Sequence, residues 1–310
     1  MAGSSVRLRN RLVRAISCPV WRTLVLLFAC AFPPTAAQNG SAPGSPGPRA
    51  DLGPARELVR LQKYEEADRL LADLQNTHPD DPSLLLLRGE VLLAVSNPEK
   101  AAELFRRAAE VSPQKLRVHF GLGTALSAVD DESGALAAFG KEIELNPDPE
   151  IRAKARVNRS VLYERAQKWN EAAAELEALL AEAPERQEAY GDLAQLYLKA
   201  GRTDEALRAV EQGAERGLLA APLYLNVGAD YFNRKAFDRA AASFSRALEI
   251  QPDLALAELN LALALDRLDR KDEANSHLER YLELRPDAPE ASEIQKRLAG
   301  PPKKTASKAK

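Results

Sequence analysis

An all-α solenoid of about seven helix-turn-helix units, closed by a C-terminal capping helix, is the architecture the sequence predicts, and three observations carry it. Hydrophobic residues make up 45% of the 310 residues but aromatics only 5%, so the core must be mostly Leu and Ala, residues that lose little on entering a helix. Alanines recur at 67, 101, 135, 172, 206, 240 and 274, at intervals of 34 broken once by 37. Two further columns keep the same period: Pro79, Pro113, Pro147, Pro184, Pro252 and Pro286 follow their alanines by twelve residues, with Leu218 the one departure. Ala55, Gly89, Gly123, Ser160, Ala194, Gly228 and Ala262, all small, precede them by twelve. Such self-similarity marks stacked supersecondary units.

Small residues at fixed places on two successive segments let helix backbones approach while larger neighbours fill the remaining space. The stretch 221–254 shows this best. Tyr224, Val227, Gly228 and Tyr231 share one helix face by spacings of three and four, and the partner segment carries Ala240, Phe244 and Ala247. The polar stretch ending at Asp238 predicts a side-chain cap for the second helix, with Ser133, Asn170, Asp204 and Asp272 in the same place. Pro252 then stops that helix.

These motifs, Tyr224-Leu225-Asn226-Val227-Gly228 followed by Ala240, Phe244, Ala247 and Pro252, resemble the tetratricopeptide repeat family. The resemblance implies a right-handed α-solenoid over residues 54–288, with units starting at 48, 82, 116, 153, 187, 221 and 255. The departures carry expectations of their own. Pro54 falls inside the expected first helix, so that helix starts late, with Pro54 at its first turn, and its unit serves as the N-terminal cap. Three extra residues lie near Pro149 to Arg152. Gly213 and Gly217 precede Leu218 and predict the least rigid joint in the fifth unit. Residues 289–300 place Ala291, Ile294 and Leu298 on one face, as a capping helix would. The tail 301–310, with four lysines and no acid, is expected to be disordered.

Residues 1–37 hold five arginines and no acid, then an apolar run from Leu24 to Phe32, then Pro33, Pro34, Thr35, Ala36 and Ala37. This order predicts a cleavable export signal ending at Ala37, and hence a periplasmic or extracellular protein. The apolar run is too short to cross a hydrocarbon core of about 30 Å. Two rival readings remain open: a lipoprotein signal acylated at Cys30, which would make the protein a membrane-tethered envelope assembly factor, and an organellar transit peptide. Residues 38–53 read as a flexible linker, since eight of the ten residues 39–48 are Gly, Ser or Pro.

With 43 basic and 45 acidic side chains the formal net charge is −2, which gives no footprint for nucleic acid. Both cysteines, Cys18 and Cys30, lie in the leader, so the body has no disulfide or thiolate chemistry. His78, His119 and His277 fall in different units without an acidic or second histidine partner at helical metal-ligand spacing. No phosphate loop, HExxH, GxSxG or CxxCH occurs. The expectation is a non-enzymatic chain with no catalytic residue, no metal and no cofactor, and with Trp169 as a core residue. The Asn39-Gly40-Ser41 and Asn158-Arg159-Ser160 triplets match the glycosylation pattern and are expected to be unmodified.

Function is then expected on the inner surface of the stacked first helices. The sixth positions of successive units are Gly53, Leu87, Gly121, Asn158, Asp192, Asn226 and Asn260, of which the last four form a polar row. In some family members asparagines here hold the backbone of an extended peptide, and the resemblance implies that role for Asn158, Asn226 and Asn260; an amide can both donate to and accept from a peptide group. Leu86, Leu93 and Phe120 supply an apolar end, while Arg165, Lys199 and Arg267 bring positive charge to the other. The expected partner is a protein or peptide segment, with no nucleic acid and no transmembrane helix. The family's carboxylate clamp is not reproduced, since the ninth positions read Arg56, Glu90, Thr124, Val161, Gln195, Ala229 and Leu263.

Overall fold

The computed structural model describes residues 49–114 and 117–299. The leader and its cleavage site, Cys30, the linker to residue 48 and the tail from residue 300 lie outside the described residues. Among the described residues there are fifteen α-helices and no strand. They fall into two compact units that divide between Glu182 and Ala183. The N-terminal unit contains α1 (Gly53–Arg60), α2 (Tyr64–Thr77), α3 (Pro82–Ala94), α4 (Pro98–Val111), α5 (Val118–Ala128), α6 (Glu132–Leu145), α7 (Pro149–Arg165) and α8 (Trp169–Glu182). The C-terminal unit contains α9 (Gln187–Lys199), α10 (Thr203–Glu215), α11 (Ala221–Asn233), α12 (Phe237–Ile250), α13 (Ala255–Arg267), α14 (Lys271–Leu284) and α15 (Ala291–Leu298). Within each unit every helix packs on the next in the chain, and first helices of neighbouring hairpins also touch: α3 with α5, α9 with α11, and α11 with α13.

The turn inside each hairpin has one design. Gln62, Ser96, Asp130, Gln167, Gly201, Lys235 and Asp269 take positive φ, between 57° and 74°. Each donates its amide three residues back, and the next residue donates five residues back, as in Lys235 N to Phe232 O (2.9 Å) and Ala236 N to Tyr231 O (2.9 Å). That is the Schellman closure of a helix C-terminus. The residue after the left-handed one, such as Ala236 or Arg270, then begins the second helix through its own carbonyl, so both helix ends share a single residue. The expected side-chain caps are therefore corrected. Asp204, Asp238 and Asp272 stand in the first turn, where a negative charge meets the positive helix end, and the capping residues Arg202, Ala236 and Arg270 make no side-chain cap bond. Asp131 is an exception, accepting from Gly134 N.

Size complementarity holds the two helices together. All seven alanines of the period are fully buried. Four residues later the second helix carries Leu71, Phe105, Phe139, Leu176, Val210, Phe244 or Leu278, each at most 3% exposed. Wherever that residue is Phe, the facing residue twelve before the alanine is Gly; wherever it is Leu or Val, the facing residue is Ala or Ser. A Cβ on Gly89 would meet the Phe105 ring at 2.7 Å, one on Gly123 the Phe139 ring at 2.8 Å, and one on Gly228 the Phe244 ring at 2.6 Å. The ring occupies the volume of the missing side chain, which keeps the core near close packing.

The irregular units have their own solutions. Pro54 sits in the first turn of α1, where its missing amide hydrogen costs nothing. The extra residues before the fourth hairpin lengthen α7 to 17 residues, against 13 in α3, α9, α11 and α13, and Asp148 caps its start by accepting from Glu150 N. In the fifth hairpin the two glycines have distinct local roles. A Cβ on Gly213 would meet Tyr190 Cβ at 2.9 Å, so this glycine permits close approach of α10 to α9. Gly217, at φ +93°, ends α10 by a further Schellman closure in which Leu218 N donates to Gly213 O (3.0 Å). Trp169, expected in the core, is only partly buried at the start of α8.

Candidate functional site

In the N-terminal unit Leu86, Glu90 and Leu93 follow one another along α3 at helical spacing and share a face. Leu86, Leu93 and Phe120 are half-buried and rest on the core around Phe105 and Phe139, with the Phe120 ring edge-on to Phe139 at 5.6 Å. Arg117, just before α5, pairs with Glu90 at 2.7 Å. Burial nonetheless raises the Glu90 carboxyl above its ordinary range, against the opposing pull of Arg117 and Arg56. Of the sixth positions, Gly53 begins α1 and Leu87 is half-buried. Gly121 faces Phe105, whose ring would lie 2.5 Å from an added Cβ.

The start of α5 depends on a residue distant in sequence. Arg117 takes a left-handed conformation at the helix cap, and the buried Glu142 of α6 accepts from Arg117 N (3.1 Å) and Phe120 N (2.9 Å). A carboxylate from the second helix thus caps the first.

Asn158 also belongs to the N-terminal unit, half-buried on α7 between Arg156 and Arg159. These arginines face Glu175 of α8 at 3.7 and 3.2 Å, and Arg152 and Arg156 bind Glu182 at 2.9 and 2.8 Å. Burial raises the Glu175 carboxyl in spite of both arginines, whereas the bonds from Arg156 and Arg152 lower that of Glu182.

The C-terminal unit carries the rest of the polar row, and its members are not equivalent. Asp192 is exposed, Asn226 is half-buried and Asn260 is 1% exposed. Asn260 Nδ2 has no hydrogen-bond partner. The four residues of the row share a register but not an accessibility, because repeat register sets the helix face and not its exposure. Arg165, Lys199 and Arg267 are exposed in the last turns of α7, α9 and α13, where positive charge meets the negative helix end. Arg267 also lies over the rings of Phe232 and Phe237, at 5.5 and 5.7 Å.

Three contacts escape a reading by local spacing. Tyr231 of α11 donates to Asp204 of α10 at 2.6 Å, and Arg239 of α12 pairs with the same carboxylate at 2.7 Å while lying 5.6 Å from the Tyr231 ring. The Tyr231 bond, aided by Arg239, lowers the Asp204 carboxyl, while burial and that carboxylate push Tyr231 up to about 12. His277 of α14 meets the buried Glu258 of α13 at 2.6 Å, a partner 19 residues away. Arg297 of α15 binds Asp266 and Asn275, tying α15 to α13 and α14. Among the described residues no group of three or more His, Asp, Glu or Cys could hold a metal ion, and no helix is long and apolar enough to cross a membrane.

Solved structures that share this fold include the following three. The C-terminal part of a TPR repeat-containing protein from Cytophaga hutchinsonii aligns with a TM-score of 0.62 at 14% identity, over 79% of this chain and 100% of that one. A structure of Naa15/Naa10 bound to HypK aligns with a TM-score of 0.53 at 17% identity, over 76% of this chain and 36% of that one. MamA aligns with a TM-score of 0.50 at 19% identity, over 55% and 91%. One tetratricopeptide repeat family model matches residues 164–226 and a second matches 54–115, 91–150 and 229–289. The chain belongs to the tetratricopeptide repeat family.

Proposed function

We propose that this chain is an exported, non-enzymatic interaction scaffold that holds an extended segment of another protein along the first helices of its hairpins. The side-by-side contacts of α3 with α5, of α9 with α11, and of α11 with α13 support this reading most directly. These contacts bring faces of neighbouring first helices side by side within each unit. Half-buried Leu86, Leu93 and Phe120 offer apolar contact area, and half-buried Asn226 offers an amide for a peptide backbone. That the Naa15/Naa10 structure contains a bound HypK is consistent with such use of the fold. Affinity purification of the full chain from its own cells, compared with a variant carrying Asn158→Ala, Asn226→Ala and Leu93→Ala, tests the reading. Loss of a co-purifying protein supports it, and an unchanged set of partners contradicts it.

Export rests on the leader: five arginines, a short apolar run and the small residues before Gln38. Intact-mass measurement of the mature protein should place its N-terminus at Gln38. Retention of residues 1–37, or a mass carrying acyl chains on Cys30, contradicts cleavage there.

A further inference from the structure

A buried charge stands where the repeat has no need of one. Glu142, on α6, is 2% exposed, and the same place in the other hairpins holds Leu74, Ala108, Leu179, Gly213, Ala247 and Tyr281, none of them an acid. A carboxylate taken out of water is costly unless hydrogen bonds replace its hydration, so its partners show what it holds. They are three donors: Arg117 N (3.1 Å), Phe120 N (2.9 Å) and Asn146 Nδ2. The first is the amide of the α5 cap residue and the second the third amide of the helix, the two donors that a capping box satisfies. Here one side chain from another helix satisfies both. Elsewhere in this unit α3 and α7 bring their own caps, Asp81 and Asp148. The cap residue of α5 is Arg117, at φ 73° and without a side-chain cap bond, and α5 has 11 residues against 13 in α3. Its start is therefore set from α6. What that start carries belongs to the face: Arg117 reaches Glu90 of α3 at 2.7 Å, and Phe120 rests edge-on against Phe139. The same buried group also reaches the next first helix. Asn146, 4% exposed and bound to Glu142, accepts from Asp148 N at 2.9 Å, and Asp148 caps α7.

Resting on the scaffold reading above, we propose that Glu142 is the positioning residue of the N-terminal partner face. It touches no partner itself. It fixes the left-handed Arg117 and the first turn of α5, so that Phe120 is held on the same core as Leu86 and Leu93, and through Asn146 it keeps the start of α7 in the same frame. A face ordered in advance lowers the entropy that binding has to give up. A Leu or Ala of the kind found there in other hairpins would fill space and leave both α5 amides without their acceptor.

The test uses the full chain in the cells that make it, with the photo-reactive residue benzoylphenylalanine placed singly at Phe120 on α5 or at Leu93 on α3. Glu142→Leu should abolish the adduct formed from Phe120 and leave that from Leu93 in place. Glu142→Gln keeps the shape and one acceptor oxygen, and it carries the test if the leucine variant does not fold. It should weaken the Phe120 adduct and, in the purified chain, speed hydrogen exchange of the Phe120 amide about tenfold, as the loss of one charge-assisted hydrogen bond would. Glu144→Gln, on the exposed side of α6, should change neither. An undiminished Phe120 adduct, unchanged exchange at its amide, or equal loss of adducts from Phe120 and Leu93 overturns the positioning role and leaves the scaffold reading intact. No adduct from either site in a chain that keeps Glu142 overturns both.

Discussion

In the N-terminal unit the first helices present Leu86, Leu93 and Phe120 beside Arg56, Glu90 and Arg117, whereas in the C-terminal unit the same register carries Asp192, Asn226 and buried Asn260. Beneath this difference the hairpins are alike. Each closes its first helix through a left-handed residue, and each pairs a small residue on the first helix with a larger one on the second. The repeat therefore separates two sets of positions. Those that pack the hairpin vary only in matched pairs, and those on the first-helix face vary freely. The two units differ in their matched pairs as well, since two of the four N-terminal hairpins use Gly with Phe, against one of three in the C-terminal unit.

The largest expected effect breaks this comparison at Phe105, whose ring lies against both Gly89 and Gly121. Phe105→Ala should cost about 3–5 kcal/mol in denaturant unfolding, more than Leu278→Ala in the C-terminal unit, where the facing residue is Ala262. Equal losses would show that the glycine pairing contributes nothing of its own. Next in size, Gly228→Ala forces a Cβ to within 2.6 Å of the Phe244 ring and should cost about 1–3 kcal/mol. Adding Phe244→Leu should recover most of it by recreating the pairing of Ala262 with Leu278, and non-recovery in the double variant counts against size matching.

A smaller effect separates the turns. Gly201 sits at φ +74° and Lys235 at φ +64° in equivalent places. Gly201→Ala should destabilise by about 1 kcal/mol, and Lys235→Gly should stabilise slightly. Thermal unfolding of the two variants should therefore move in opposite directions. The smallest effect is confined to alkali. Burial and the Asp204 carboxylate push Tyr231 up from 10 to about 12; a pKa raised on folding contributes stability that is complete below the unfolded value and is lost as pH climbs through the folded one. Stability should thus fall between about pH 10 and 12, and Tyr231→Phe should remove one late tyrosinate from an ultraviolet titration, leaving that of Tyr224, which burial also raises.

The period was legible because its three columns are chemically narrow: Ala where the helices touch, a small residue opposite, Pro beyond the second helix. The turns were not, because Gln62, Ser96, Gln167 and Lys235 adopt a left-handed conformation that ordinary residue types do not advertise. Here the Schellman geometry dominates over local preference. Asp238 read as a cap because its residue type suits one, yet the second helix begins at Ala236 through backbone alone. Glu142 under α5 and Glu258 against His277 are tertiary contacts 22 and 19 residues apart, beyond any helical spacing rule. The face residues were placed on the correct helices by register, but Asn260 shows that register does not give exposure.

On the proposed function, first helices and not second helices meet a partner polypeptide. Photo-reactive residues placed singly at Leu93 on α3 and Gln195 on α9, against Glu103 on α4 and Glu211 on α10, test it in the cells that make the protein. Crosslinked adducts are expected from Leu93 and Gln195 and none from Glu103 or Glu211, and adducts confined to the second-helix positions would overturn the proposed function.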